Sequence, residues 1–232
     1  GVYLLNDAQV ALGKVTDVRV QPDLRTYVPL GRRATLAARG SVGFLLPTFG
    51  SYGKGFDQGQ ISGRDLQLLF LRGFFSGGPN SNRGYPTAGV GQLDVPPATL
   101  GRFLVGEECY DEAGGVRPNA EDRCYLPLGG ISTWEASLEL RVQLSDTVSL
   151  VPFVDASDVT RRRGRLRLTQ PHPSVGLGLR YDTPLGPLRL DVGYAVPRRA
   201  FGVDDPREWG VEPDFLGLGL PVAFNIAFGE AF

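Results

Sequence analysis

Apolar and polar residues alternate with a period of two along much of this chain. Between residues 18 and 30, Val18, Val20, Pro22, Leu24, Thr26, Val28 and Leu30 fall in one phase, and Arg19, Gln21, Asp23, Arg25 and Tyr27 in the other. Successive side chains of a β-strand point to opposite faces, so this pattern predicts a strand with one apolar and one charged face. Residues 33–46 repeat it, with Ala34, Leu36, Ala38, Val42 and Phe44 opposing Thr35, Arg39 and Ser41. Residues 134–144 do so again: Trp134, Ala136, Leu138, Leu140, Val142 and Leu144 oppose Glu135, Ser137, Glu139, Arg141 and Gln143. Runs at 149–155, 174–182, 188–194 and 222–232, with a weaker one at 2–12, bring the expected strands to eight.

Several of these runs reach ten residues or more. Strands of soluble domains are usually about 5–6 residues long, whereas a tilted strand that crosses a bilayer needs about 9–11. Alternation alone does not say which face is outside. Strand length and the aromatic Phe232 at the end of the last run favour an apolar face toward lipid and a polar lumen. The expected fold is therefore all-β, an antiparallel transmembrane barrel. Tight connections at 30–33 and 183–187 are expected on a periplasmic rim. The longer segments 48–130, 156–173 and 196–220, rich in Gly, Pro and Asp, are expected outside the cell.

Composition narrows the chemistry. The formal charge is -1 over 232 residues, so no strong field attracts nucleic acid. No run of 18 or more apolar residues predicts a membrane-spanning helix. Cys109 and Cys124 suit a disulfide in an oxidising compartment; two free thiols are the alternative. The acidic stretch around Glu107, Glu108, Asp111, Glu112, Glu121 and Asp122 lacks the spacing of a calcium loop and reads as a solvated excursion, so no metal is expected. The single histidine, His172, sits between Pro171 and Pro173, in an expected loop with no serine elbow nearby. Neither a catalytic set nor a nucleotide-cradling loop is expected, and no cofactor. Arg161, Arg162 and Arg163 read as solvated loop charge.

Three motifs occur in order. Residues 75–85 read Phe-Ser-Gly-Gly-Pro-Asn-Ser-Asn-Arg-Gly-Tyr, joining Gly77-Gly78 to Arg83-Gly84-Tyr85. Residues 181–191 read Tyr-Asp-Thr-Pro-Leu-Gly-Pro-Leu-Arg-Leu-Asp, and the chain ends Phe-Asn-Ile-Ala-Phe-Gly-Glu-Ala-Phe at 224–232. Together they resemble the BamA/TamA superfamily of outer-membrane assembly proteins (bacterial surface antigen type). Asn82 departs from the pattern, which often has a small apolar residue there.

The resemblance implies that the chain, residues 1–232, is the C-terminal half of a sixteen-stranded barrel, without the first half and the POTRA domains. A small eight-stranded barrel would not hold a loop as long as 48–130 in its lumen. That loop would fold inward, with Arg83 at its tip against Glu139 and Asp155 on the wall. A planar guanidinium suits two carboxylates as an ammonium does not. Gly84 would let the backbone pass close to the wall, and Tyr85 would pack its ring with its hydroxyl wet. The terminal strand with Phe224, Ile226, Phe228, Gly229 and Phe232 would form one side of a weak seam. The implied function is insertion and folding of outer-membrane proteins. Its partners would be membrane lipid and lipopolysaccharide, unfolded barrel clients, and periplasmic or lipoprotein subunits. A two-partner-secretion export pore and a barrel anchoring an effector domain are the alternatives.

Overall fold

The computed structural model describes residues 1–48, 52–56 and 62–232; parts of the 48–130 segment, residues 49–51 and 57–61, lie outside them. Three long strands come first: β1 (Val2–Ala11), β2 (Asp17–Pro29) and β3 (Ala34–Pro47). The long connection that follows holds helix α1 (Gly63–Arg72), strand β4 (Leu93–Asp94), helix α2 (Ala98–Leu104) and strand β5 (Leu126–Pro127). Then come β6 (Ser132–Gln143), β7 (Val148–Thr160), β8 (His172–Thr183), β9 (Gly186–Ala195), the short helix α3 (Pro206–Trp209) and β10 (Val222–Phe228). Among the described residues the long strands form one eight-stranded sheet in the order β1-β2-β3-β6-β7-β8-β9-β10, every neighbouring pair antiparallel. The sheet is open, with β1 and β10 as its edges; β4 and β5 pair separately.

The register keeps each phase of the alternation on one face. Leu36 opposes Leu140, Ala38 opposes Leu138 and Val42 opposes Trp134 on the outer face. Ala37 opposes Glu139, Arg39 opposes Ser137 and Ser41 opposes Glu135 on the inner one. Leu24, Leu138, Val154, Leu177 and Leu190 are all 44–49% exposed. Arg83, Glu139, Asp155, Arg189 and Asp191 are at most 1% exposed. A soluble sheet protein buries its apolar face. This one exposes it and fills its inside with charge, the arrangement of a barrel wall in hydrocarbon.

The long connection has its own packing. Ser62 caps α1 in a box with Asp65, which satisfies backbone donors at the helix start. Leu66 and Leu69 turn inward, and Leu69 joins Leu45, Phe56, Phe74 and Ile131 in a core over the long-loop rim. Asp17, fully buried, accepts from Tyr52 Oη at 2.9 Å and from Arg72 Nη2 at 2.7 Å, which ties this layer to β2. Further out, Cys109 and Cys124 form a disulfide packed with Val95 and Tyr110.

Several boundaries differ from the sequence reading. β7 continues to Thr160 and β8 begins at His172, so the second long loop shrinks from 156–173 to 161–171. Asp158 hides the continuation: it is a charge in the apolar phase, and it is buried because Arg167 folds back onto it at 2.6 Å. β10 stops at Phe228, not at residue 232. Gly229, with φ of +87°, turns the chain out of the sheet, and the last residues bend inward. Phe232 becomes 7% exposed, and its main-chain oxygen accepts from Tyr27 Oη at 2.9 Å and Arg141 Nη2 at 3.3 Å. Arg161 is not solvated loop charge. It is buried and pairs with Asp94 at 3.0 Å, and only Arg162 and Arg163 of that cluster are exposed.

Candidate functional site

The long connection descends from the rim into the concave side of the sheet and turns at residues 76–90. Gly77 and Gly78 have φ of +109° and +94°, and a Cβ on Gly77 would lie 2.3 Å from the Pro86 carbonyl oxygen. The turn is closed by Gly78 N–H donating to the carbonyls of Asn82 and Tyr85 at 3.1 and 3.0 Å. This points the segment 82–85 at the inner faces of β6, β7, β8 and β9.

Arg83 lies at the centre of the contacts. Its Nε and Nη2 donate to the two carboxylate oxygens of Asp155 at 2.8 and 2.7 Å, and its backbone N–H donates to the same group at 3.0 Å. Nη1 donates to Glu139, and Nη2 also reaches Ser137 Oγ at 3.1 Å. The guanidinium carbon stands 3.6 Å from the centre of the Phe153 ring, so the cation has a π face as well as two anions. Burial alone would lower the Arg83 pKa, but the hydrogen bond and charge of Asp155, then Glu139, outweigh it and hold the group above its ordinary value. The site is thus a desolvated cluster in which one guanidinium bridges two carboxylates. Such a cluster persists only while every member has its partners.

Charge continues around this pair. Glu139 also accepts from Arg141 Nε at 2.9 Å, and Asp191 accepts from Arg180 at 2.7 Å. Arg189 Nη2 donates to the Pro79 carbonyl at 2.6 Å and to Asn80 Oδ1 at 2.8 Å. From β3, Arg39 donates to the Asn80 carbonyl at 3.1 Å while pairing with Asp23 and Glu135.

Gly84 and Tyr85 complete the tip. A Cβ on Gly84 would stand 2.2 Å from Ser174 Cβ, so only glycine passes the β8 wall here. Tyr85 is fully buried, and its hydroxyl donates to the Val196 carbonyl at 3.3 Å rather than to water. Burial raises its pKa. The expected wet hydroxyl is wrong because residues 196–221 fold over the tip. His172 is likewise no loop residue. It is buried at the start of β8 between Tyr85 and Trp209, with ring centroids at 5.7 and 4.0 Å. Its ring nitrogens lie 3.1 Å from the Ser157 carbonyl oxygen and 2.7 Å from that of Trp209.

Asn82 carries more than the sequence suggested. Its amide nitrogen donates to Ser157 Oγ at 3.0 Å and to the His172 carbonyl at 2.6 Å, and its Oδ1 accepts from Ser174 Oγ at 2.7 Å. A polar residue before Arg83 therefore meets a polar wall. Arg189, Ser157, Ser174 and Asn225 were also missed as site residues. Each falls in the inward phase of its strand, and that phase was the available signal.

The remaining site candidates lie at the edge of the sheet. Phe224, Ile226 and Phe228 form an outward row on β10, 54–72% exposed. Between them, Asn225 points inward and donates from Nδ2 to the Arg83 carbonyl at 2.9 Å. The loop tip and the last strand are thus in direct contact.

The family model of the Omp85 superfamily domain matches residues 1–211. The chain belongs to the Omp85 superfamily. Among solved structures, the crystal structure of BamA from Haemophilus ducreyi lacking POTRA domains 1-3 is similar to it, with a TM-score of 0.58 at 18% identity. The match covers 87% of this chain and 36% of that one, so this Omp85 chain spans little more than a third of its neighbour's length. A comparison with curated proteins finds no match. This Omp85 chain is a bacterial outer-membrane protein, and its eight strands form part of a barrel with the fold of BamA.

Proposed function

We propose that the protein inserts and folds other β-barrels in the outer membrane, and that β10 is the strand that receives them. Membership of the Omp85 superfamily supports outer-membrane protein insertion or translocation as the general activity. The observation that carries the finer reading is the state of β10. Among the described residues its strand partner is β9 alone, over seven positions from Val222 to Phe228, whereas the other seven strands of the sheet run 10–14 residues. Free N–H and C=O groups along such an edge template an incoming strand by β-augmentation. The energy comes from the client's own folding.

In this reading the loop tip is the brace of that edge. Arg83 fixes the tip to β6 and β7 by two carboxylates, and Asn225 fixes β10 to the tip. The 232 residues act as the C-terminal half of a larger barrel, whose further strands complete the edge at β1 and meet β10 at the seam. Clients, membrane lipid and accessory periplasmic subunits are the partners this activity requires.

The test is reconstitution. Full-length protein in proteoliposomes should accelerate folding of an urea-unfolded outer-membrane barrel, read as heat-modifiable migration on gels. Passage of an unfolded polypeptide into the vesicle lumen, without faster barrel folding, would favour an export pore instead.

A further inference from the structure

The β7–β8 loop, residues 161–171, crosses to the outside of the barrel. Trp134, in the outward phase of β6, donates from Nε1 to the Arg167 carbonyl at 3.3 Å. Arg167 in turn grips Asp158, outward on β7, at 2.6 and 3.0 Å. These contacts hold Leu166 and Leu168 over the outer wall, where they line a groove of about 320 Å³ with Leu24, Gly40, Val42 and Trp134. Gly40 leaves the floor open, since a Cβ there would touch nothing within 4 Å. Leu168 is still 65% exposed.

The same loop carries the cations. Arg161 is spent on Asp94, but Arg162 and Arg165 are exposed and form no ion pair among the described residues. A short segment thus presents guanidinium groups beside an apolar groove on the membrane face, on the rim that carries the long loops. A soluble partner has no reason to match both features. A phosphate on an acyl-bearing lipid matches each: arginine forks bind phosphate oxygens in pairs, and the groove takes hydrocarbon.

We infer that this loop and groove are a binding site for a phosphorylated glycolipid of the outer leaflet, of the lipid A type. Phosphate groups engage Arg162 and Arg165, and one acyl chain lies along Leu24, Gly40 and Val42 beneath Leu166 and Leu168. The site is separate from the β10 edge and does not depend on the seam reading.

Full-length protein would be equilibrated with phosphatidylcholine vesicles carrying lipid A, dephosphorylated lipid A or phosphatidylglycerol, re-extracted in mild detergent, and its retained lipid measured by native mass spectrometry. Lipid A should be retained over both others. Arg162→Gln with Arg165→Gln should lower its retention on the order of tenfold or more, since two solvent-screened charge-assisted contacts are lost. Gly40→Leu, which fills the groove and leaves the arginines in place, should lower it as well. Heat-modifiable migration unchanged from wild type shows that each variant is folded. Equal retention of phosphatidylglycerol or of dephosphorylated lipid A would overturn the assignment, as would undiminished retention by either folded variant.

Discussion

Asn225 on the last strand donates a hydrogen bond to the backbone carbonyl of Arg83 at 2.9 Å, across 142 positions of sequence. The Arg83 side chain meanwhile holds Asp155 and Glu139 on β7 and β6. One residue therefore joins the wall to the edge strand, by its guanidinium on one side and its carbonyl on the other. Asn225→Ala removes the second link only. It should cost about 1 kcal/mol, a typical net hydrogen bond. A small drop in the urea midpoint of full-length protein would check the value. Stronger protease sensitivity or hydrogen exchange in β10 than in β6 or β7 would check the location.

Arg83→Ala should be far more damaging. It leaves Asp155 and Glu139 buried without their shared cation, and breaking such a pair typically costs about 3–5 kcal/mol. Arg83→Lys should recover part of this, because one ammonium cannot repeat the fork on Asp155 while reaching Glu139. Neutralising all three positions (Arg83→Met, Glu139→Gln, Asp155→Asn) should be milder than Arg83→Ala, since no uncompensated charge remains. Urea midpoints of the four proteins give the order directly.

Gly84→Ala should expel the loop tip. The added methyl would meet Ser174 Cβ at 2.2 Å, and Ser174 is held by Asn82, so the wall has little room to yield. Overpacking of this kind costs about 1–3 kcal/mol. Channel recordings should show larger conductance as the lumen opens. Unchanged conductance and stability would mean that the tip does not pack against β8.

Much of this architecture is legible in the sequence because one physical constraint governs it. A wall between lipid and a charged interior must alternate, and it does so from Val18 to Leu30 and from Trp134 to Leu144. The errors fall where a tertiary contact overrides that rule. Asp158 belongs to the apolar phase and ends the pattern early, yet Arg167 neutralises it and the strand continues. His172 looks like a loop residue between two prolines, but Trp209, from a distant segment, packs against it. Helix α1 is signalled by the Ser62–Asp65 capping pair, but its ten residues lie inside a Gly-rich stretch of sequence that reads as loop. The inward residues Asn82, Ser157 and Ser174 show no pattern as a set until the loop brings them together.

Reducing Cys109–Cys124 should loosen the excursion and spare the barrel. The bridge packs with Val95 and Tyr110, away from the Arg83 cluster. A cross-link of this separation typically contributes about 3 kcal/mol. Proteolysis with and without reductant should differ between residues 93 and 127, while heat-modifiable migration stays the same.

The central claim is that client strands pair with β10. Its most direct test places a photo-crosslinking amino acid at Phe224, Ile226, Phe228 and, as the inward control, Asn225 of full-length protein during assembly of a barrel client. Pairing predicts cross-links from the outward row at 224, 226 and 228 to client residues that advance two at a time along one strand. Cross-links to the client from Asn225 alone, in no fixed register, would contradict it and describe a polypeptide passing through the lumen.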